Sequence, residues 1–176
     1  MKKTPFLLAI MLTSSLLVTA CNRGSSDNPA DSGGTATGSG TMSATVDGQS
    51  WTATSGTVFA TYSTNTLTVI GSQVQGTSAS TFNITINNVT GTGEFRLGFP
   101  GVGGAQGIAG YGIGTGAGSN AQAWVTTITE TGTVNITRLD VPNKTVAGTF
   151  SFRCRSTNAT PEIRNITNGR FEARWQ

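Results

Sequence analysis

Past residue 41 the chain alternates between apolar and polar residues, and this constrains its fold more than any other feature. Phe82, Ile84 and Ile86 are interleaved with Asn83, Thr85 and Asn87. Val134 and Ile136 alternate with Asn135 and Thr137, and Phe95, Leu97 and Phe99 with Glu94, Arg96 and Gly98. Phe150 and Phe152 alternate with Ser151 and Arg153. Phe171, Ala173 and Trp175 alternate with Arg170, Glu172 and Arg174. A period of two puts successive side chains on opposite faces of a strand. No stretch after the N-terminal segment repeats its apolar residues at helical spacing. The runs are rich in Thr, Val, Ile and Phe, which suit a pleated, half-buried surface.

The connections carry turn chemistry. Asp47-Gly48 separates Met42–Val46 from Gln49–Ala53. Asp-Gly between alternating runs predicts a type I′ hairpin, because both central residues need positive φ. Thr57–Tyr62 and Thr66–Gln73 form a second hairpin about Thr64-Asn65. Val141-Pro142-Asn143-Lys144 places Pro at the first central position of a turn. About ten short strands at regular spacing predict an all-β fold, an antiparallel sandwich or barrel over residues 42–176. A chain of that length buries a core without metal or disulfide support.

Before residue 42 the texture differs. Lys2 and Lys3 precede an apolar run, Phe6–Val18, and Val18-Thr19-Ala20-Cys21 supplies small residues before a cysteine. This has the form of a secretory signal peptide, residues 1–20. Its end resembles the lipobox of bacterial lipoproteins. The resemblance implies diacylglycerol transfer to the Cys21 sulfur, cleavage before Cys21 and acylation of the new amine, giving an anchor of two or more chains. Asn22, rather than Asp, follows the cysteine, which by the same resemblance favours the outer membrane. Residues 21–41 then read as the lipidated Cys and a flexible Gly/Ser/Thr-rich tether, with a root-mean-square span on the order of 25 Å. Cleavage lowers the side-chain charge from +3 to +1, so the mature surface is nearly neutral. It also leaves Cys154 as the lone cysteine, expected on the Phe150/Phe152 face as a small buried apolar group.

Composition narrows the function. The chain has no histidine, which excludes a Ser–His–Asp triad, a Cys–His dyad and His-ligated zinc. Charged residues are 11% of the chain, too few for the dense basic footprint nucleic acid demands. No cofactor or metal is expected. Ten glycines fall between Gly98 and Asn120. That stretch lacks the Gly-Lys-Ser/Thr ending of a phosphate loop and reads as a loop or a glycine-weakened strand. Tyr111, flanked by Gly110 and Gly112, and Trp124, which shares its face with Gln122 and Thr126, are the candidate ligand contacts. Trp51 and Trp175 follow the apolar period and belong to the core. Arg153, Arg155, Arg170 and Arg174 line one sheet face if their strands pair, as a solvated face or an anion patch.

Val46-Asp47-Gly48-Gln49-Ser50-Trp51-Thr52-Ala53 resembles the V-N-G-x-x-W-x-A opening of small envelope lipoproteins common in Bacteroidota. Gly132–Thr137, Val146–Phe152 and Thr167–Phe171 resemble the close of the same group. The resemblance implies an all-β lipoprotein outside the cytoplasm and no catalytic residues. The expected function is thus a non-enzymatic, lipid-anchored binding or structural module of the bacterial envelope. Its expected partners are the membrane, through Cys21, and a glycan, small ligand or envelope protein. Two alternatives remain open: a lipocalin-like carrier with the glycine-rich loop as lid, and a glycoside hydrolase using paired carboxylates.

Overall fold

The computed structural model describes residues 40–115, 121–158 and 160–175. The expected signal peptide, Cys21 and all but the last two residues of the expected tether lie outside these residues. The described residues contain eleven strands: β1 Thr41–Val46, β2 Gln49–Thr52, β3 Val58–Ser63, β4 Thr66–Gln75, β5 Ser78–Ile86, β6 Gly93–Leu97, β7 Gly107–Thr115, β8 Gln122–Val125, β9 Gly132–Asp140, β10 Thr145–Ser156 and β11 Ile163–Arg174. They form one sheet, ten of them in the order β2-β1-β11-β10-β9-β6-β7-β5-β4-β3, with β8 off this path against β10 and β7. The fold is all-β, as the alternation predicts. The sheet is mixed, because β6 meets β7 through a parallel bridge at Leu97 and Gly107.

Both predicted hairpin turns form with the required backbone. Asp47 and Gly48 have φ of 47° and 85°, and Thr64 and Asn65 have 50° and 59°. Lys144 N donates to Val141 O at 3.2 Å across the Pro142 turn. The glycine-rich stretch divides: residues 98–106 are a loop, 107–115 are strand, and 116–120 lie outside the described residues. Gly107–Thr115 is β7, bonded to β5 on one side and β8 on the other. Phe99 departs from expectation: β6 ends at Leu97, and Phe99 is 54% exposed on the following loop.

β7 and β10 diverge at one end, where β6 and β9 lie between them, and converge at the other, where β8 alone bridges both. Thr126 joins these arrangements. Its backbone N–H donates to Ala109 O, its hydroxyl accepts from Ala109 N at 3.1 Å, and that hydroxyl donates to Gly98 O. On the other side of the fold, the chain after β2 runs beside β4, with Thr54 N donating to Ser72 O at 2.8 Å. The Tyr62 ring on β3 meets Trp175 at 5.3 Å. The sheet therefore curls around a single core.

Phe82 sits at the centre of that core, fully buried. Its ring contacts Trp51 at 4.6 Å, Tyr111 at 4.9 Å, Phe150 at 5.7 Å and Phe152 at 6.1 Å. Three cross-strand pairs set a Phe against a Gly: Phe150 with Gly169, Phe171 with Gly148, and Phe152 with Gly132. The rings cover the backbone that glycine leaves bare. Among the described residues, every member of this core lies between Met42 and Trp175.

Candidate functional site

Tyr111 and Trp124, the candidate ligand contacts, lie in the interior. Tyr111 is 7% exposed and Trp124 1%, with their rings 5.8 Å apart. Tyr111 is held between Phe82 and Trp124, so the flanking glycines open the outer face of β7 and leave the Tyr111 face covered. The period of two turns Trp124 and Thr126 inward together. The Trp124 ring lies 4.8 Å beneath the Arg164 guanidinium. The indole Nε1 of Trp124 and the Nε of Arg164 are buried without a hydrogen-bond partner. Trp51 is also interior, its Nε1 donating to Ser80 Oγ at 2.7 Å.

Arg164 joins two carboxylates, one distant in the chain and one two residues away. Its Nη1 donates to Asp47 Oδ2 at 3.0 Å and its Nη2 to Glu162 Oε2 at 3.5 Å. Asp47 Oδ1 also accepts from Asn165 N at 2.8 Å. Burial acts to raise the Asp47 carboxyl, but Asn165 and Arg164 outweigh it and hold the group below its ordinary range. The turn residue of the first hairpin is thus stapled to the start of β11.

The predicted arginine strands do pair. Arg170 lies beside Thr149, Arg174 beside Thr145 and Arg153 beside Asn165, all on the outer face. Arg155 is instead committed to Glu130, donating from Nε at 3.1 Å and from Nη2 at 2.8 Å. The hydroxyls of Thr127 and Thr129 donate to the same carboxylate. Led by Arg155, these donors lower the Glu130 carboxyl to about 2. Sequence reading missed this pair because its members are 25 residues apart. Cys154 is fully buried, and desolvation pushes its thiol up to about 12.

A different surface emerges from the register. On the outer face of β3, β4, β5 and β7, Thr61, Thr68, Thr85 and Ile108 lie abreast. The next row is Phe59, Ile70, Asn83, Gly110 and, on β8, Val125. Then come Ser72, Thr81, Gly112 and Ala123, and last Val74, Ala79 and Gly114. No charged residue occurs in these rows. Phe59 is 60% exposed and Val74 49%. Hydroxyl pairs tie the strands, Thr68 to Thr85 at 3.1 Å and Ser72 to Thr81 at 2.9 Å.

Gly110, Gly112 and Gly114 all face outward, which lowers the surface along β7. An open groove of about 460 Å³ lies there. Ala79, Thr81, Gly112 and Gly114 contribute to its lining, with Val74 and Gln122. The described residues that line it present hydroxyl, amide and apolar groups, and none is charged. It therefore offers no counter-charge to a charged group. Among the described residues no three His, Cys, Asp or Glu side chains gather as metal ligands.

Comparisons with curated proteins and with solved structures return no match. A family model described as a domain of unknown function, DUF6252, matches residues 38–173, so the chain belongs to that uncharacterised family.

Proposed function

We propose that the chain is a lipid-anchored binding module of the bacterial cell envelope, held at the outer membrane through Cys21 and acting by binding rather than catalysis. The binding surface is the charge-free outer face of β3, β4, β5, β7 and β8 with its groove. That face is the observation that carries the reading. Depletion of charge around exposed apolar side chains such as Phe59 and Val74 is a feature of interaction sites. The signal-like N-terminus and its lipobox resemblance support the anchor, and the tether gives the domain reach.

The carrier alternative requires a lumen. Here Phe82 and its ring contacts fill the space between β5 and β10, and the Gly107–Thr115 part of the expected lid is a paired strand. The outer groove is the better ligand site. For the hydrolase alternative, Asp47 and Glu162 both meet Arg164, and both are spent on that ion pair.

Two measurements test the reading separately. Palmitate labelling of the protein in its host is expected, and Cys21→Ser abolishes it; unchanged labelling overturns the anchor. A thermal-shift screen of residues 22–176 against neutral glycans and lipids is expected to show a dose-dependent rise in melting temperature. Gly112→Glu removes that rise. Its Cβ meets no heavy atom closer than Gln122 O at 3.6 Å, so the fold accepts it. A ligand indifferent to Gly112→Glu overturns the groove.

A further inference from the structure

We infer that the face opposite the groove, the outer surface of β6, β9, β10, β11 and β1, docks against an anionic lipid surface. The registers place Arg96, Arg138, Arg153, Arg170 and Arg174 on this face, with Lys144 in the turn at its end. Its acids are Glu94, Asp140 and Glu172. Arg96, Arg153, Arg170 and Arg174 are exposed, and none is ion-paired with a described residue. The remaining charges of the described residues are Asp47, Glu130, Arg155, Glu162 and Arg164, and all of them stand in ion pairs. The positive excess of the folded chain is therefore concentrated on one side, while the opposite side is neutral.

Two observations select a membrane as the occupant. The first is charge complementarity with phosphate headgroups, for which guanidinium groups are well shaped. The second is where the chain outside the structure joins the domain. The described residues begin at Gly40, and β1 starts at Thr41, abreast of Glu172 on this same face. A tether of about twenty residues spans on the order of 25 Å, so an anchored domain meets the bilayer at high effective concentration. Docking on the arginine side turns the groove away from the lipid. The tether step rests on the anchored reading proposed above. The charge segregation does not.

The test uses residues 22–176, which lack the lipid, so its result is independent of palmitate labelling. Co-sedimentation is measured with phosphatidylcholine vesicles, with and without about 30 mol% phosphatidylglycerol. Binding is expected with the anionic vesicles only, falling several-fold as salt rises from about 50 to about 300 mM. Arg170→Glu with Arg174→Glu is expected to weaken it at least about tenfold, since each basic group near an anionic leaflet counts for roughly fivefold. Phe59→Ser, on the other side, leaves it unchanged. Equal binding to neutral vesicles, no binding to anionic ones, or full binding by the double variant overturns the proposal. Both arginines are exposed, and unchanged circular dichroism confirms that the double variant is folded.

Discussion

At the scale of single residues, buried or stapled charges explain the stability of the loops. Glu130 is 5% exposed, and its carboxylate receives both nitrogens of the Arg155 fork and two threonine hydroxyls. Its folded pKa of about 2 lies below the ordinary 4.5. The group therefore stabilises the fold fully above about pH 4.5, and the contribution fades as pH falls toward 2. Glu130→Gln is expected to cost about 1–3 kcal/mol at neutral pH and little at pH 2, read from urea midpoints at the two pH values. Asp47 combines two roles that mutation separates. Asp47→Asn keeps a residue suited to φ of 47° and loses a partly exposed ion pair, for less than about 1 kcal/mol. Asp47→Ala also loses the turn preference and costs about 1–2 kcal/mol more. Cys154, buried with its thiol raised to about 12, is expected to resist a thiol reagent until the protein unfolds.

At the scale of elements, the pairing of glycine with phenylalanine holds the central strands together. A Cβ on Gly148 would lie 2.6 Å from Asn135 O and 2.7 Å from Phe171 Cζ. Neither the backbone nor the packed ring can retreat far, because β9 and β11 flank β10 on both sides. Gly148→Ala is expected to lower stability by about 1–3 kcal/mol in equilibrium unfolding. Gly112→Ala, on the open outer face, should change it by less than about 0.5 kcal/mol. The alternation made β5, β9 and β10 plain in the sequence. β8 was half-legible: the period set Trp124 on one face with Gln122 and Thr126, but four residues, Gln122–Val125, are too short to show which face turns inward. β7 was half-legible: its glycines mask the alternation, yet Ala109 and Tyr111 keep it and turn inward.

At the scale of the whole molecule, the sheet separates its charges. The side formed by β6, β9, β10, β11 and β1 carries arginines, and the side formed by β3, β4, β5, β7 and β8 carries none. The net side-chain charge of the chain, only +3, conceals this arrangement. Long-range steering should be weak, while short-range contacts differ between the two sides. Phe59→Arg is expected to leave the melting temperature within about 2 °C, because the side chain is 60% exposed. The same change should reduce capture of any partner that uses the neutral face, as measured by crosslinking in intact cells.

The sequence alone determined what depends on neighbours along the chain. The strand alternation, the type I′ turn at Asp47-Gly48, the hairpin about Thr64-Asn65, the Pro142 turn and the inward Phe150, Phe152 and Phe171 all follow from local sterics and a period of two. Tertiary structure decided what depends on register between distant segments. It joined Asp47 to Arg164 across 117 residues and Glu130 to Arg155 across 25. It buried Tyr111 and Trp124, whose flanking glycines and polar neighbours suggested exposure. It also set the uncharged rows of four strands abreast. Alternation says that a residue has two faces to choose from; only the closing of the sheet around Phe82 decides which face meets water.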